Sequence, residues 1–300
     1  MDISIIGLGK MGLSYAKNLN RNGYEVSGFD IDREIGLHYN HPLFKSCSIF
    51  EELLSKSNRN LVFLFLPAGN ITDNMIKKLL PYMNADDIIV DCANGHYNQA
   101  VQHRVLASQY QVSYYDCGIS GGMKGALEGA CMMMGGTSRL DDELRKIIES
   151  TCVEGGFLYH PSPGSGHYLK MVHNGIEYGM MQSIAEGLEL LAKQDHYDYN
   201  LEEVTANWSN GSIIASLLID CIHERLVKDK ELQCFTGPVH ASGEGKWTIQ
   251  EALEQEVPVP TIALALMKRN ATLDKNAFSN RVISAMRYEF GGHNENSHTS

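Results

Sequence analysis

The chain has 300 residues, enough for two domains at about 100 to 200 residues per domain. Hydrophobic residues make up 43% and charged residues 20%, which excludes a wholly disordered chain, a collagen-like repeat and a small disulfide scaffold. The 25 lysines and arginines against 36 aspartates and glutamates leave a net charge of -11, which argues against broad binding to nucleic acid or to an anionic membrane.

The seven cysteines form neither a C-x-x-C pair nor a metal-type spacing, so reduced, mostly buried thiols are expected. His38 and His41 have no carboxylate at ligand spacing, so no metal site is predicted. The first residues lack the basic and apolar segments of a signal peptide, and the best apolar run, residues 61–67, is too short to cross a bilayer. We therefore predict a cytoplasmic protein that binds neither nucleic acid nor membrane.

The first half alternates short apolar runs with longer amphipathic stretches, a pattern typical of a parallel sheet covered by helices. The predicted strands span residues 2–6, 25–30, 61–66, 88–91 and 113–117, with a further candidate at 131–134. The predicted helices span residues 11–21, 50–57, 72–82, 97–110 and 141–152.

Turn-forming residues are concentrated in the segment His160-Pro-Ser-Pro-Gly-Ser-Gly, after which strand-like alternation gives way to helical patterns. The predicted helices beyond it span residues 167–194, 201–208, 213–227 and 261–267. We predict an α/β domain over residues 1–160 and an all-α helical domain over residues 161–300.

Gly7, Gly9 and Gly12 form the pattern G-x-G-x-x-G between the first predicted strand and the first predicted helix. Such glycines permit a tight turn and close backbone approach, and the amides at the helix start bind a pyrophosphate. A Gly-rich turn without a ligand is the alternative, but the strand, turn and helix in succession favour a dinucleotide site in a Rossmann-type domain. The candidate cofactor-binding residues are Gly7, Leu8, Gly9, Met11, Gly12, Asp30, Leu66, Pro67 and Asn94.

Asp30 ends the second predicted strand, where a carboxylate can accept hydrogen bonds from an adenosine ribose and would repel a 2'-phosphate. The alternative is a solvated aspartate at a strand end, and Arg33 lies close enough to weaken the discrimination. We predict NAD as the preferred cofactor, with NADP possible.

Residues 118–122, Gly-Ile-Ser-Gly-Gly, match G-x-S-x-G, the elbow that presents a nucleophilic serine in hydrolases. That elbow requires a helix immediately afterwards, and Gly125 and Gly129 argue against one. A loop whose amides and Ser120 hydroxyl hold an anionic substrate fits better beside a dinucleotide motif. A turn without a ligand stays open as a third interpretation.

A polar face is predicted on the long helix, because Lys170, His173, Asn174, Glu177 and Tyr178 stand at i, i+3, i+4, i+7 and i+8. An ordinary solvated face is the alternative, although such a face usually repeats Lys and Glu rather than His, Asn and Tyr. An alcohol must lose its proton to surrender hydride to a nicotinamide, and a partly desolvated lysine with a lowered pKa can remove it. Lys170 is the candidate base, and Glu177 is the candidate proton donor.

Other polar residues are weaker candidates. Asn94 follows the fourth predicted strand, at the edge where open α/β sheets bind ligands, and a turn asparagine is its alternative. Lys246, Arg269, Arg287 and His293 are candidates for surrounding a phosphate, with dispersed surface cations as the alternative.

Together these motifs resemble 6-phosphogluconate dehydrogenase of the decarboxylating type, in its shorter form, within the β-hydroxyacid dehydrogenase group. The resemblance rests on Gly7-Leu-Gly-Lys-Met-Gly, Ser120-Gly-Gly, Lys170-Met-Val-His-Asn-Gly-Ile-Glu-Tyr, Gly245-Lys-Trp-Thr and Arg287-Tyr-Glu-Phe-Gly-Gly-His. The first two motifs are shared with the wider group, and the other three are specific to the family.

The resemblance implies that Lys170 is the general base and Glu177 the general acid, with Asn174 also in the catalytic set. It implies that the sugar-acid end of the substrate is held by Asn94, Ser120, Gly121, Gly122, His173 and Asn174. It implies that the phosphate is bound by Tyr178, Lys246, Thr248 and Arg269. It also implies a homodimer or higher oligomer, in which Arg287 and His293 of the partner subunit complete that pocket.

The sequence departs from the family pattern at Ala93 and Gly95, which replace a Gly and a Ser of the loop after the fourth strand. Asp30 replaces the polar or basic surroundings of NADP-using relatives, and the duplicated helical half of the long form is missing. These departures affect the details of substrate contact, cofactor choice and subunit interface.

The resemblance implies oxidative decarboxylation of 6-phospho-D-gluconate to D-ribulose 5-phosphate and CO2, with hydride transfer to NAD(P) and without a metal. This reaction belongs to the pentose phosphate pathway and gluconate metabolism. One alternative is a 3-hydroxyisobutyrate-type β-hydroxyacid dehydrogenase. Another is a non-catalytic, dehydrogenase-like cofactor-binding protein, which the presence of Lys170, Asn174 and Glu177 disfavours.

Overall fold

A computed structural model describes residues 1–54, 56, 58–136, 139–274 and 277–291. The chain divides into two compact units, Met1–Gly175, here called the Rossmann-type unit, and Ile176–Ser300, here called the helical unit. This division falls within a long helix that starts at Ser165, inside the turn-rich segment 160–166. The predicted domain limits, 1–160 and 161–300, stay predictions.

The Rossmann-type unit contains an eight-stranded sheet in the order β3-β2-β1-β4-β5-β6-β7-β8. The strands are β1 (Asp2–Ile6), β2 (Val26–Phe29), β3 (Phe44–Ser46), β4 (Asn60–Leu64), β5 (Ile88–Asp91), β6 (Ser113–Ser120), β7 (Ala130–Gly135) and β8 (Cys152–His160). The strands from β3 to β6 run parallel, β7 is antiparallel to β6, and β8 is parallel to β7. The strand order changes direction between β1 and β4, which opens a crevice at the carboxyl ends of the strands.

Apolar side chains cover both faces of this sheet. On β4, Leu61 and Phe63 join one buried cluster, whereas Val62 and Leu64 join the other. Because both faces are buried, this strand is continuously apolar rather than alternating. The covering helices are α1 (Lys10–Arg21), α2 (Arg33–Leu37), α3 (Asn70–Leu79), α4 (Tyr97–Ser108), α5 (Gly122–Glu128) and α6 (Asp142–Thr151).

Helix α7 (Ser165–Lys193) begins in the Rossmann-type unit and continues into the helical unit. The later helices are α8 (Leu201–Trp208), α9 (Leu217–Lys228), α10 (Gly243–Glu254), α11 (Pro260–Ala271) and α12 (Phe278–Gly291). The predicted fold class, a Rossmann-type α/β domain followed by an all-α domain, is confirmed.

Some sequence predictions of individual elements are wrong. Residues 50–57 do not form a full helix, because Phe50–Leu53 makes only a short 3-10 turn; residues 55 and 57 lie outside the described residues. The elements that the sequence pattern did not predict are β3, β8, α2, α5, α10 and α12.

The seven cysteines are free thiols. Cys47 and Cys117 are buried, but Cys131, Cys221 and Cys234 are exposed. The expectation of mostly buried thiols is therefore wrong.

Two kinds of feature are absent from the described ranges. They contain no helix with the length and apolar composition that a membrane span requires. They also contain no group of three or more His, Cys, Asp or Glu side chains arranged to hold a metal ion. The cytoplasmic location stays a prediction.

Candidate active site

The three glycines between β1 and α1 have separate structural roles. Gly7 has a φ of +95°, and a Cβ atom there would collide with the carbonyl oxygen of Phe65. A Cβ atom at Gly12 would collide with the carbonyl oxygen of Gly7, so this glycine lets the helix pack closely on the turn. At Gly9, directly before the helix, a Cβ atom would meet nothing within 4 Å. The turn therefore leaves an open approach to the first amides of α1, as a pyrophosphate requires.

Asp30 lies beside this turn, just after β2. Its Oδ2 accepts a hydrogen bond from the Leu8 amide at 2.6 Å, and its Oδ1 accepts one from the Asp32 amide at 2.9 Å. These bonds fix the orientation of a half-buried carboxylate, and each oxygen keeps a further acceptor site. The carboxylate is thus held beside the glycine turn.

The remaining predicted cofactor residues lie on or near the same edge of the sheet. Leu66 approaches Gly7, and the Pro67 carbonyl accepts a hydrogen bond from Thr72 Oγ1 at 2.8 Å. Asn94 is exposed on the loop between β5 and α4. In the glycine turn, Leu8 is buried and Met11 is half-buried.

The start of α7 is anchored on strand β6. The buried carboxylate of Asp116 accepts hydrogen bonds from the amides of Gly164 at 2.7 Å and His167 at 2.8 Å. A Cβ atom at Gly166 would lie 2.5 Å from the Asp116 carbonyl oxygen, so this glycine lets the helix start contact the strand backbone. The carboxylate caps the helix and fixes its first turns against the sheet.

Lys170 lies in the anchored part of α7 and is only 7% exposed. A Cβ atom at Gly118 of β6 would collide with the Cβ of Lys170. The aliphatic stem of the lysine therefore packs on the strand backbone at Gly118, close to the carboxyl end of β6. The predicted solvated-face alternative does not hold for this residue.

Ser120, His173 and Asn174 form a hydrogen-bonded chain. Ser120 Oγ lies 3.1 Å from His173 Nε2, and His173 Nδ1 lies 3.0 Å from Asn174 Oδ1. If Nδ1 donates to the asparagine oxygen, Nε2 is left to accept the serine proton. The structure thus brings together three residues that the sequence analysis assigned to substrate binding.

Helix α5 begins at Gly122, two residues after Ser120, so the prediction that Gly125 and Gly129 argue against a helix there is wrong. Gly121 has a φ of +103°, and a Cβ atom on it would lie 3.0 Å from the Cα of Gly125. Gly125 thus permits close packing at the helix start. Ser120 itself is the last paired residue of β6, opposite Cys131, and the positive φ values fall on Gly121 and Gly122. A nucleophile elbow places its serine in the strained turn, so this geometry favours a substrate-holding loop.

In the helical unit, the predicted phosphate residues Tyr178 and Arg269 are in contact. The Arg269 guanidinium carbon lies 3.6 Å from the centroid of the Tyr178 ring. The buried Tyr178 hydroxyl accepts a hydrogen bond from the Ser242 amide at 3.0 Å, and a Cβ atom at Gly245 would lie 2.6 Å from its ring. A guanidinium stacked by its face keeps its N–H donors at its edge, where they can bind phosphate oxygens in pairs.

Lys246 and Thr248 are both on α10 but differ in exposure. Lys246 is exposed, whereas Thr248 is buried and donates from Oγ1 to the Glu244 carbonyl at 2.8 Å. Two positions along a helix turn the side chain by about 200°, so these two residues point in nearly opposite directions. The structure therefore does not place them on one face of their helix.

The other predicted residues of this unit are more dispersed along the chain. Glu177 is half-buried on α7, next to Tyr178, and Arg287 is half-buried on α12. His293 lies outside the described residues.

The comparison with known families covers nearly the whole chain. Residues 2–154 match the NAD binding domain of 6-phosphogluconate dehydrogenase, and residues 166–298 match the C-terminal domain of 6-phosphogluconate dehydrogenase. The chain belongs to the 6-phosphogluconate dehydrogenase family. The resemblance inferred from the motifs is confirmed.

Several members of the 6-phosphogluconate dehydrogenase family are similar to this chain along its length. The NAD(+)-dependent, decarboxylating 6-phosphogluconate dehydrogenase of Haloferax volcanii is 36% identical, over 98% of each chain. YqeC of Bacillus subtilis, whose assignment to this activity is provisional, is also 36% identical over 98% of each chain. The 6-phosphogluconate dehydrogenase of Plasmodium falciparum, studied with NADP+ and with 6-phosphogluconate, is 29% identical with a TM-score of 0.81, covering 100% of this chain and 67% of that one.

Several residues that support the candidate site were not predicted from the sequence. Asp91 and Asp116 are buried carboxylates on β5 and β6, and Ser242 fixes the Tyr178 hydroxyl. An aspartate within or at the end of an otherwise apolar strand is a detectable signal, because buried carboxylates need partners. The partners themselves, such as the amides at the start of α7, are distant in sequence and were not predictable.

Proposed function

We propose that this protein catalyses the oxidative decarboxylation of 6-phospho-D-gluconate to D-ribulose 5-phosphate and CO2, a step of the pentose phosphate pathway. The observation that carries the proposal is the packing of Lys170 on Gly118 of the strand that ends in Ser120, which is hydrogen-bonded to His173. The stem of Lys170 and the hydrogen-bonded chain of Ser120, His173 and Asn174 thus support a catalytic site near the carboxyl end of β6. The Haloferax volcanii relative, which bears the name of this activity, supports the proposed substrate.

The glycine turn fits a nicotinamide dinucleotide, whose bound form would supply the hydride acceptor. Gly7, Gly9 and Gly12 would hold its pyrophosphate on the start of α1, and Asp30 would accept hydrogen bonds from its adenosine ribose. Leu66, Pro67 and Asn94 are the proposed contacts from the loops after β4 and β5.

The chain's own side chains would handle the protons. In its neutral form, the Lys170 amine would remove the proton of the C3 hydroxyl while C3 loses its hydride and becomes a ketone. The ketone lies β to the carboxylate, so the electron pair of the breaking C1–C2 bond passes to the ketone oxygen as CO2 leaves. Protonated Lys170 would stabilise the resulting enolate, a contribution of roughly 3 kcal/mol for one donor. Glu177 would then give a proton to C2.

A spectrophotometric assay tests this proposal. Purified protein is mixed with 6-phosphogluconate and either NAD or NADP, and the reduced-nicotinamide absorbance is followed. We expect reduction that requires 6-phosphogluconate and does not occur with 3-hydroxyisobutyrate. Turnover of 3-hydroxyisobutyrate alone would establish the rival dehydrogenase function, and turnover of neither would favour a non-catalytic cofactor-binding protein.

We expect Asp30 to make NAD the preferred dinucleotide, since its carboxylate would repel a 2'-phosphate. Asp30→Asn keeps an oxygen that can accept from the Leu8 amide but removes the charge. The ratio of kcat/KM for NAD to that for NADP should fall by about tenfold, which corresponds to ~1.4 kcal/mol. Asp32→Asn is the matched control, because Asp32 caps α2 through the Glu34 amide. An unchanged ratio in Asp30→Asn would remove Asp30 from cofactor selection.

We also propose that the protein is a homodimer in which Arg287 and His293 of one subunit complete the phosphate pocket of the other. Exposed apolar side chains in the described part of the helical unit support the binding of a second subunit. Phe278, Val282 and Met286 stand at i, i+4 and i+8 of α12 and are all exposed, which forms an apolar stripe. An apolar groove of about 770 Å³ lies among α7, α8 and α9 of the same unit. Exposed apolar surface of this extent is typical of an interface.

Val282→Asp should therefore weaken the dimer. Burying an unpaired charge in an interface costs about 3 to 5 kcal/mol, so the dissociation constant should rise by a hundredfold or more, to order of magnitude. Light scattering after size exclusion measures the mass of each species as the protein is diluted. Val105→Asp, on the exposed face of α4 in the Rossmann-type unit, is the control and should leave the mass unchanged. If Val282→Asp kept the dissociation constant of the wild-type dimer, the result would contradict an interface through α12.

A further inference from the structure

A buried polar network lies below the carboxyl ends of β5 and β6. His103 of α4 is 8% exposed, and its Nε2 lies 2.8 Å from Asp73 Oδ1 on α3. Its Nδ1 lies 3.3 Å from the Tyr114 hydroxyl and 3.7 Å from Asp91 Oδ2. The Tyr114 hydroxyl donates to the same Asp91 oxygen at 2.7 Å.

The hydrogen-bond pattern is complete when His103 is a cation. A carboxylate only accepts, so Nε2 must donate to Asp73. The Tyr114 proton is directed to Asp91, so the phenol oxygen is an acceptor for Nδ1. With both ring nitrogens protonated, three donors meet three acceptors among these four residues, which favours the cation.

The electrostatics agree with this assignment. Burial opposes charge on His103, but the hydrogen bonds and charges of Asp91 and Asp73 outweigh it and raise the pKa of the imidazole. Burial likewise opposes charge on Asp91, yet His103, His167, Tyr114 and the Ala93 amide together lower its pKa. Burial raises the pKa of Tyr114 well above its usual value, so the phenol stays protonated.

This network joins two loops that the proposed function assigns to the cofactor. Asp73 lies in the first turn of α3, directly after the loop that carries Leu66 and Pro67, and the neighbouring Thr72 holds the Pro67 carbonyl. Asp91 Oδ1 accepts from the Ala93 amide at 3.0 Å, at the start of the loop that carries Asn94. The Asp91 carbonyl also lies 3.1 Å from His167 Nε2, near the start of α7.

We infer that His103, as a cation clamped between Asp73 and Asp91, is a positioning residue that sets the spacing of the loops after β4 and β5 for dinucleotide binding. The inference rests on the proposed function, since it assumes that these loops contact the cofactor. His103 contacts no proposed substrate or cofactor position itself and acts through the two aspartates.

The clamp predicts that dinucleotide binding weakens at alkaline pH. The groups that face His103 are Asp73 on α3, Asp91 on β5 and Tyr114 on β6, with His96 and His167 around the same hollow. Because the folded pKa of His103 is raised, the clamp is complete below its ordinary value and is lost as pH rises through the raised value. Neutral His103 lacks one donor, so Asp91 and a ring nitrogen would compete for the Tyr114 proton. The KM for the dinucleotide should then rise while the amine of Lys170 remains active.

The experiment compares wild type, His103→Gln, Asp73→Asn and the exposed control His160→Gln, all as full-length protein. Steady-state kinetics from neutral to alkaline pH give kcat and both KM values, and fluorescence titration gives binding of the reduced dinucleotide. We expect His103→Gln and Asp73→Asn to raise the dinucleotide KM on the order of tenfold at neutral pH, with a smaller change in kcat. In these two variants the KM should no longer rise at alkaline pH. His160→Gln should match the wild type.

An NMR titration of the His103 ring in the wild type makes the test independent of variant folding. We expect the pKa of His103 to lie above the ordinary histidine value. An ordinary or lowered value, or variants with the wild-type dinucleotide KM and pH profile, would overturn the inference. If the wild type reduces no dinucleotide with 6-phosphogluconate, the proposed function fails, whereas the NMR titration and the fluorescence binding still decide on the clamp.

Discussion

Replacement of Lys170 by methionine is expected to abolish turnover of 6-phosphogluconate while leaving dinucleotide binding nearly intact. Methionine keeps an unbranched apolar stem that can pack on Gly118, but it cannot accept the C3 hydroxyl proton. A positioned general base increases the rate about a hundredfold to ten-thousandfold, and the same amine is proposed to stabilise the enolate. The kcat should therefore fall by at least about a hundredfold to ten-thousandfold. Single-turnover absorbance measures the loss, and fluorescence titration measures binding of the reduced dinucleotide.

Lys193→Met is the matched control for this variant. Lys193 is the last residue of the same helix and is exposed, and its ion pair with Glu189 lies on the surface, where solvent screens it. Its kcat should equal that of the wild type. If Lys170→Met kept most of the wild-type activity, Lys170 would not be the base.

Arg269→Ala is expected to raise the KM for 6-phosphogluconate sharply and to have little effect on a phosphate-free sugar acid. The guanidinium stacks on Tyr178 with its donors at its edge, and a charge-assisted hydrogen bond to phosphate contributes about 1.5 to 3 kcal/mol. The KM should therefore rise by about tenfold to a hundredfold. Initial rates with 6-phosphogluconate and with unphosphorylated gluconate separate loss of a phosphate contact from general damage.

Lys268→Ala is the matched control for Arg269→Ala, because Lys268 is the preceding residue of α11 and is exposed. It should leave both KM values unchanged. An equal rise in KM for gluconate and 6-phosphogluconate in Arg269→Ala would show that Arg269 supports the fold of the site rather than the phosphate.

The parts of the fold that depend on local sequence were predictable. Gly7 is required by its positive φ and Gly12 by the Gly7 carbonyl of the same turn, so the motif alone indicated the strand, turn and helix. Strands β4 and β5 contain the continuous apolar runs 61–64 and 88–90 because both sheet faces are covered. The residues of the polar face, Lys170 to Tyr178, fall in one uninterrupted helix.

Elements whose formation depends on distant contacts were missed. Helix α10 begins with Gly243-Glu-Gly, a poor helix-forming sequence, yet Gly245 is needed where the Tyr178 ring packs against it. Strand β8 includes Gly155 and Gly156 and is largely exposed at the edge of the sheet, so it has no apolar alternation to detect. In both, tertiary packing outweighs local preference.

The candidate site shows the same distinction. The residue types of Ser120, His173 and Lys170 indicated substrate binding and catalysis, but their contacts join a strand to a helix far along the chain. The carboxylate that anchors the start of this helix, Asp116, could not be assigned its partners from spacing alone. Similarly, Asp30 was predicted as a ribose acceptor, whereas its bond to the Leu8 amide became visible only in the structure.

The most direct test of the proposed chemistry uses 6-phosphogluconate labelled with carbon isotope at C1. Wild-type protein should release one labelled CO2 for each dinucleotide reduced, and Lys170→Met should release none above background. Reduction of the dinucleotide without release of label, or release of label that Lys170→Met retains, would contradict oxidation and decarboxylation by this lysine.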